Sequence, residues 1–479
     1  MAGGIKSLIL LLILGCPCFQ AMDEKEVREM MALEQELLKN LQKYAVKLED
    51  KINLIEESIT EYTEEINEAN KDPELYLSNP LNAFRLIRHM HQDWVSWQVY
   101  MEKPVAPEAV ENLERLLPQL PEKEAYKQAA RDVHDLTQFY DYKPSDLVAK
   151  NERNSSLHLS PLDCYHLGLE RYEEEDYLGA AKWLSVTAEN YTLSEYSDLY
   201  GLLGAPRWQV YRDQARALLK LNRPAFLETY EQASNLNPFN VHLMDEIGQW
   251  ELTSTRDPMD PVPDPLPKPT KLERHCRGHV IPQRNLACEV LNWGSDFMKL
   301  APLRFELLVE PFTVLYPNSV YETELRHVDK VYNQCPPINQ FHLEKGVTGC
   351  SISNGYSPTM GRLRDRVLEM TGMTKTWNRS FVVENDSLKP LEISKLFRKS
   401  TKFPDLNVME KTNVVATAII FLRDVPEGGA ITMPNYELFV QPKRGNVLLS
   451  VNEMQLDTTI CPNVVGSGLV MIQFVLNDE

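Results

Sequence analysis

Three apolar runs near the C-terminus decide the fold: VVATAIIFL at residues 414–422, NVLLSV at 446–451 and GLVMIQFV at 468–475. β-Branched residues are frequent in these runs, and each run has the length of a strand. The segments PEGG (426–429) and PKRG (442–445) lie between the first two runs and supply the Gly and Pro that tight turns require. The pattern predicts a closed or sandwiched all-β domain.

The segments around these runs resemble a known family. FLRDVPEGGAITMP (421–434), PKRG (442–445) and CPNVVG (461–466) are similar to the catalytic jelly roll of the collagen prolyl 4-hydroxylase α subunit. The resemblance implies a C-terminal double-stranded β-helix, or jelly roll, over residues 273–479. Members of that family hydroxylate peptidyl proline and use Fe²⁺, 2-oxoglutarate and L-ascorbate.

The residues that would bind iron and 2-oxoglutarate are absent. The family's chemistry needs two imidazoles and one carboxylate on one face of the iron, and a cation for the distal carboxylate of 2-oxoglutarate. Family members supply a His-x-Asp, a His three residues before Cys-Pro and a Lys ten residues after that His. The corresponding positions here are Leu391, Ile393, Thr458 and Gly468. Because the last histidine of the chain is His342, we predict no catalytic residue, no metal ligand and no bound cofactor.

Length, composition and charge are those of a globular protein. The chain has 479 residues, enough for about three domains, with 43% hydrophobic and 25% charged residues. The net charge of −19 argues against nucleic acid or an anionic membrane as a partner, since both would repel it. Residues 1–21, with Lys6 before a short uncharged apolar run, predict a secretory signal peptide cleaved near Ala21. No later segment has the length of a membrane span.

Residues 22–150 are predicted to form a helical coiled-coil assembly domain. Apolar residues recur there in steps of three and four, at Leu37, Leu41, Tyr44, Leu48, Ile52, Ile55, Ile59, Tyr62 and Ile66. A seam of this length needs a partner helix, within the chain or across a dimer, and an ordinary bundle helix is the alternative. PLNAF (80–84) resembles the family's N-terminal assembly domain. That resemblance implies protein disulfide isomerase, the β subunit, or other α subunits as partners.

Residues 158–252 are predicted to form helix pairs of a tetratricopeptide-like domain. In the family this module grips proline-rich, collagen-like peptides with tyrosines, and Tyr172, Tyr177 and Tyr211 are available here. A polyproline helix can stack its rings on flat aromatic side chains at little entropic cost. Each tyrosine alone is equally well explained by helix packing. Six prolines between positions 258 and 269 predict an extended linker over residues 253–272.

Cysteines and glycosylation motifs suit the secretory route. Six cysteines follow the predicted leader, in a compartment where disulfides form. The resemblance implies a disulfide between Cys276 and Cys288 and an unpaired, buried Cys461, while Cys335 and Cys350 are a second candidate pair. Motifs for N-glycosylation stand at Asn154, Asn190, Asn378 and Asn385. We therefore expect the protein in the lumen of the endoplasmic reticulum or outside the cell.

The predicted fold is an α+β multidomain chain with a coiled-coil region, a tetratricopeptide-like region and a jelly roll. Three functions are compatible with this fold. The first is a non-catalytic α-subunit-like protein that assembles with protein disulfide isomerase or active α subunits and binds collagen-like peptide. The second is an active procollagen-proline 4-dioxygenase whose ligands lie elsewhere, for which only carboxylates such as Glu384, Asp386 and Glu392 are available. An oxygen-only site disfavours Fe²⁺ chemistry of this kind. The third is a secreted structural role, and the missing ligands favour the first.

Overall fold

The computed structural model describes residues 24–148, 159–193, 196–254, 268–281, 283–291, 296–344, 346–397, 413–451 and 458–477. The predicted signal peptide, Asn154 and most of the predicted linker lie outside these residues. Two compact units are present, Met1–Tyr126 and Lys127–Glu479. Within the described residues, no helix is both long and apolar enough to cross a membrane.

The first unit is helical. Its helices are α1 (Glu24–Lys71), α2 (Pro73–Ser78), α3 (Pro80–Arg88), α4 (Trp94–Glu102) and α5 (Pro107–Leu116). Helix α1 continues for 48 residues because it contains no Pro or Gly, and Pro73 follows its end. Asp72 and Asn79 cap the next two helices by accepting from the backbone N–H groups of Leu75 and Leu81, with Pro at the first helical position in each case.

Helix α1 is covered along one side by the rest of its unit. The buried Asn40 side chain donates to the Ala109 carbonyl of α5 at 2.7 Å. Further along α1, Tyr62 accepts from Trp97 Nε1 of α4 at 3.2 Å, and its ring lies 6.0 Å from the Trp94 ring, centroid to centroid. A helical N-terminal region is confirmed, and part of the predicted seam packs within the unit.

The second unit begins with paired helices. Helix α6 (Lys123–Tyr140) starts four residues before the boundary and lies mostly in this unit. The other helices before the sheets are α7 (Pro144–Leu147), α8 (Pro161–Glu173), α9 (Tyr177–Asn190), α10 (Ser197–Leu202), α11 (Arg207–Lys220), α12 (Ala225–Leu236) and α13 (Val241–Ser254). Helices α8 and α9 form one contacting pair, α11 and α12 form the next, and α9 also packs on α11. A Cβ at Gly168 would lie 2.7 Å from Leu184 Cγ, so glycine allows α8 and α9 to approach. We call α8 to α13 the helical module.

The C-terminal part contains four helices and sixteen strands among the described residues. The helices are α14 (Lys271–Cys276), α15 (Glu322–Asn333), α16 (Pro358–Thr371) and α17 (Ile393–Leu396). The strands are β1 (Cys288–Val290), β2 (Leu303–Leu308), β3 (Thr313–Tyr316), β4 (Gln340–Glu344), β5 (Val347–Ser353), β6 (Lys375–Thr376), β7 (Arg379–Asn385), β8 (Leu391–Glu392), β9 (Val414–Phe421), β10 (Glu427–Gly428), β11 (Ile431–Met433), β12 (Leu438–Val440), β13 (Val447–Val451), β14 (Thr459–Ile460), β15 (Asn463–Val465) and β16 (Gly468–Leu476).

These strands form two main antiparallel sheets that face each other. The major sheet has the order β1-β2-β3-β13-β9-β16-β7-β5-β4, with β6 paired to β16, and the minor sheet has the order β12-β11-β14-β8. The strands β10 and β15 form a separate pair. The three apolar runs of the sequence are β9, β13 and β16, which are neighbours in the major sheet. The mixture of helices with antiparallel sheets confirms the predicted α+β class, and the two facing sheets fit the predicted jelly roll.

Alternation along the strands divides the core into two layers. On β16, Val470, Ile472 and Phe474 belong to the inner cluster, between the major and minor sheets. Their neighbours Met471 and Val475 belong to the outer cluster, which includes residues of α15 and α16. Because both faces of β16 are buried, its sequence is apolar except for Gln473, which donates to Ser380, instead of alternating.

The disulfides differ from the expected pairing. Cys276 is bonded to Cys461, so both the predicted Cys276–Cys288 bond and the predicted unpaired Cys461 were wrong. Helix α14 places Cys276 at the minor sheet, whereas Cys288 lies exposed as a free thiol on β1, the edge strand of the major sheet. The expected bond between Cys335 and Cys350 is confirmed.

One glycosylation motif lies in the core. The Asn385 side chain is only 1% exposed at the end of β7, which is incompatible with a glycan at that position of the folded chain. Asn378 is exposed and Asn190 is half-buried, so glycosylation at these two positions stays a prediction.

Candidate functional site

Pairing of two minor-sheet strands brings the expected iron positions together. Strand β8 pairs with β14, with Leu391 opposite Ile460 and Glu392 opposite Thr459. Beyond the paired residues, the Ile393 N–H donates to the Thr458 carbonyl at 2.9 Å. The three positions that the sequence comparison singled out, at residues 391, 393 and 458, therefore lie side by side, and all three residues are at most 4% exposed.

The side chains at these positions do not fit an iron ion. Leu391 and Ile393 are hydrocarbons, and Thr458 offers only a neutral hydroxyl. Fe²⁺ in a facial triad needs two imidazole nitrogens and a carboxylate. Among the residues that the structure describes, no group of three or more His, Cys, Asp or Glu side chains could hold a metal ion. We therefore derive no reaction step through iron.

Aromatic rings occupy the interior beside these positions. The centroids of Phe381 and Phe474 both lie 5.0 Å from that of Phe397, and they are 6.0 Å from each other. All three side chains are fully buried, and they belong to the same inner cluster as Leu391 and Ile393. Ring packing of this kind is favourable beyond the area that it buries. The interior thus has the composition of a hydrophobic core and not that of a polar binding site.

The position expected to bind 2-oxoglutarate carries no charge. Gly468 opens β16 opposite Asn385, with the same parity as the inward-facing Val470. A Cβ at Gly468 would lie 3.5 Å from Asn463 Nδ2 and 3.6 Å from the Asn385 carbonyl oxygen. Asn463 donates to that carbonyl, and within the part of the chain that the structure describes the buried Asn385 Nδ2 and Asn463 Oδ1 have no hydrogen-bond partner. The atoms nearest to this position belong to neutral amides, and the Arg423 guanidinium, which donates to the adjacent Ser467, is already paired with the Glu384 carboxylate.

Two of the three predicted peptide-binding tyrosines lie together. The centroids of the Tyr172 and Tyr177 rings are 5.3 Å apart in an edge-to-face arrangement, at the turn between α8 and α9. Lys220 Nζ of α11 lies 5.8 Å from the Tyr177 centroid. Both tyrosines are half-buried, and burial raises the pKa of Tyr172 against the opposing effect of the Arg216 guanidinium. The phenol of Tyr172 is therefore neutral at physiological pH.

The third tyrosine is separate from this pair. Tyr211 packs with the cluster that contains Phe226 and Tyr230 of α12, and the Arg207 guanidinium lies 5.7 Å from its ring centroid. Arg216, the α11 residue that affects Tyr172, is five positions further along the helix and on another face. The contacts described for Tyr211 are therefore with the α12 cluster and Arg207, and its part in peptide binding stays a prediction.

A polar network in the helical module was missed by sequence reasoning. The buried Asp213 accepts from Tyr165 Oη of α8 at 2.8 Å and from Arg212 at 3.0 Å, and Arg216 pairs with both Asp213 and Glu246 of α13. These contacts join α8, α11 and α13 next to the Tyr172–Tyr177 pair. The basic residues at positions 212 and 216 flank an acidic residue on α11, but their partners on α8 and α13 could not be read from the sequence.

The comparisons with known proteins agree with this architecture. A family model described as the N-terminal region of the prolyl 4-hydroxylase alpha-subunit matches residues 24–153. Human prolyl 4-hydroxylase subunit alpha-1 is 23% identical over 490 residues, which cover 93% of this chain and 91% of the relative. Chicken prolyl 4-hydroxylase subunit alpha-2 is 22% identical over 92% of this chain and 90% of its own.

A solved structure is also similar to part of the chain. The viral collagen prolyl hydroxylase of Paramecium Bursaria Chlorella virus-1 is 12% identical and covers 35% of this chain and 96% of its own, with a TM-score of 0.27. A score of that size does not define a shared fold, so the sheet order described above defines the C-terminal architecture.

Replacing Leu391 by histidine is expected to destabilise the protein without creating an iron site. The imidazole would lose its water inside the inner cluster and find no charged partner, which costs about 2–4 kcal/mol in the free energy of unfolding. Denaturant unfolding of Leu391→His checks this. As a control, Leu391→Met, which keeps the volume and the apolar character, should cost less than about 1.5 kcal/mol. Equal stability of the two variants would contradict the apolar nature of this position.

Proposed function

We propose that this chain, which is similar to prolyl 4-hydroxylase α subunits over 93% of its length, is a non-catalytic, α-subunit-like protein of the endoplasmic reticulum. It assembles with protein disulfide isomerase or with other α subunits, and it binds collagen-like, proline-rich peptide. The observation that carries the non-catalytic part is the set of side chains at residues 391, 393, 458 and 468. Residues 391, 393 and 458 lie side by side at the paired ends of β8 and β14, and the four positions carry two hydrocarbons, a hydroxyl and a hydrogen atom.

The alternative is an active procollagen-proline 4-dioxygenase that uses Fe²⁺, 2-oxoglutarate and ascorbate. It would need ligands other than those at the paired ends of β8 and β14, and it would need another anchor for 2-oxoglutarate. The carboxylate Glu384 is committed elsewhere, since it accepts from Tyr332 Oη at 2.9 Å and from Arg423. Two independent deficits, in the metal ligands and in the cosubstrate anchor, favour the non-catalytic function.

An exposed apolar stripe on α1 supports the assembly role. Leu41, Leu48, Ile52, Ile59 and Ile66 are each between 39% and 63% exposed. These residues form two series with a spacing of seven. Residues 41 and 48 form the first series, and residues 52, 59 and 66 form the second. A spacing of seven residues is that of a coiled-coil seam. The stripe is distinct from the side of α1 that carries Asn40 and Tyr62 and packs within its unit. A helix from a second subunit would cover it.

The Tyr172–Tyr177 pair supports the peptide-binding role. The two rings meet at an edge where both remain half-exposed, and the network around Asp213 holds the helices beneath them. Rigid aromatic side chains bind proline rings with little loss of conformational entropy. The disulfides support a lumenal location, since Cys276–Cys461 and Cys335–Cys350 require an oxidising compartment.

We expect no hydroxylase turnover from the assembled protein. The chain would be co-expressed with protein disulfide isomerase, and decarboxylation of 2-oxoglutarate would be measured with a (Pro-Pro-Gly) repeat peptide, Fe²⁺ and ascorbate present. Activity should not exceed that of the isomerase alone, whereas an active α subunit prepared in the same way serves as the positive control. Turnover that a chelator abolishes would establish the alternative function instead.

Charged substitutions in the α1 stripe are expected to weaken self-association. Ile52→Glu combined with Ile59→Glu places two carboxylates in the seam, so the dissociation constant of the α-subunit dimer should rise at least about tenfold. Sedimentation velocity of the purified chain measures the effect. The matched control is Glu57→Lys, which changes an exposed residue of α1 that lies neither in the exposed apolar stripe nor on the side that packs within the unit. A dimer that tolerates the double substitution as well as the control would exclude this stripe as the assembly surface.

Removal of one ring from the tyrosine pair is expected to weaken peptide binding. Tyr177→Ala should lower the affinity for a (Pro-Pro-Gly) repeat peptide roughly tenfold, because a stacking surface is lost next to Tyr172. Isothermal titration calorimetry would measure the change. Tyr211→Ala is the control, since Tyr211 packs against α12 away from the pair. The reverse outcome, with Tyr211 sensitive and Tyr177 insensitive, would place the peptide elsewhere on the module.

A further inference from the structure

The last turn of α6 is attached to the minor-sheet side of the jelly roll. Tyr140 Oη donates to the Pro462 carbonyl at 2.6 Å, and Tyr142 Oη donates to Glu427 Oε1 at 2.6 Å. The two phenol rings stack with their centroids 5.7 Å apart. Burial, together with the Glu427 carboxylate, raises the pKa of both tyrosines, so each keeps the proton that it donates. These bonds connect residues that are more than 280 positions apart in the chain.

Helix α14 holds the same turn from a second direction. Arg277 donates from Nε to the Phe139 carbonyl at 2.8 Å and from an Nη to the Gln138 carbonyl at 3.0 Å. Its guanidinium also lies 3.6 Å from Asp141. The end of α6 is therefore bonded to one residue just after α14 and to another just after β14.

The disulfide joins the two residues that precede these contacts. Cys276 stands directly before Arg277, and Cys461 stands directly before Pro462, and the bond between them closes a loop with a sequence separation of 185. Both half-cystines are buried, in a cluster with Ala430 that is packed by Phe139, Tyr140, Leu272 and Phe439. The covalent bond thus fixes the distance between the two groups that hold α6.

The other turns of α6 belong to the helical side of the unit. Ala130 lies in one buried cluster with Leu167 of α8 and Trp183 of α9. Trp183 Nε1 donates to Nδ1 of the buried His134 at 3.2 Å, and Lys127 pairs with Glu173 at 2.7 Å. One helix consequently packs into the helical module and is held on the jelly roll at its C-terminal end.

We propose that the Cys276–Cys461 disulfide is a clamp that fixes α6, and through it the helical module, on the jelly roll. Hydrogen bonds at such a surface exchange with bonds to water and contribute little net stability each, so they would not hold two modules together alone. The covalent bond between Cys276 and Cys461 keeps Arg277 and Pro462, the two attachment points of α6, close together even when these hydrogen bonds open, which favours their re-formation. With the clamp closed, the helical module and the jelly roll unfold together. This inference does not depend on peptide binding or on the absence of catalysis.

The test compares two pairs of cysteine substitutions in the full chain. Hydrogen exchange with mass spectrometry along a temperature series gives separate unfolding midpoints for peptides from α8–α9 and from the major sheet. In the wild-type protein the two midpoints should coincide. In Cys276→Ser/Cys461→Ser they should separate by roughly 5 °C or more, because the modules then open independently. The control Cys335→Ser/Cys350→Ser lacks a disulfide that is away from α6. In this control both unfolding midpoints should decrease by the same amount and remain coincident. Coincident midpoints in the first variant would overturn the proposal.

A second measurement covers the case in which the first variant does not fold. Folded wild-type protein is treated with a dithiol, which supplies the two electrons and two protons that convert a disulfide into two thiols. Alkylation of each cysteine and protease cleavage are then followed over time. New cleavage between α6 and the jelly roll should appear at the rate at which Cys276 and Cys461 become alkylated, and not with Cys335 and Cys350. An unchanged cleavage pattern after Cys276 and Cys461 have been alkylated would also overturn the clamp.

Discussion

Burial of apolar side chains between the two sheets is the constraint on which the C-terminal half of this protein depends. Each buried phenylalanine of the inner cluster contributes on the order of 1.5–3 kcal/mol through the apolar area that it removes from water. The paired ends of β8 and β14 are retained because backbone hydrogen bonds and this burial hold them, as the Ile393–Thr458 bond illustrates. A metal ion is not needed for that geometry. The pairing of these strand ends therefore does not depend on a bound ion.

Features that depend on local pattern or on counting along the chain could be predicted from the sequence. The runs that became β9, β13 and β16 have strand length and strand composition, and counting from Cys461 placed residue 458 beside the β8 end. Features that depend on which surfaces meet could not be predicted. Cys276 lies only twelve residues before Cys288, but α14 packs on the minor sheet while β1 joins the far edge of the major sheet. The family resemblance was therefore the wrong guide to this disulfide.

In the helical regions, too, the sequence does not predict which surfaces are in contact. The spacing of apolar residues predicts that α1 has a seam, but it does not say which residues face the same unit and which face outward, since neighbouring stripes on one helix share the same period. Tyr211 was grouped with Tyr172 and Tyr177 because all three are tyrosines in one module. Its packing against α12 follows from the rotation of α11, which no local pattern records. The residue types identify candidate binding residues, and the packing of the helices determines which of these residues are in contact.

One physical explanation fits both the apolar inner cluster and the binding and assembly surfaces that lie outside it. A buried site that no longer binds a charged ligand leaves its polar groups without partners, and such groups cost more than apolar side chains of similar size. Hydrocarbon at residues 391 and 393 and close-packed phenylalanine rings remove that cost. The α1 stripe, the tyrosine pair and the disulfide-bonded end of α6 all lie outside the inner cluster. The side chains at residues 391, 393 and 458 therefore place no demand on these surfaces, and in the proposed function each surface serves binding or assembly while the jelly roll acts as a stable support.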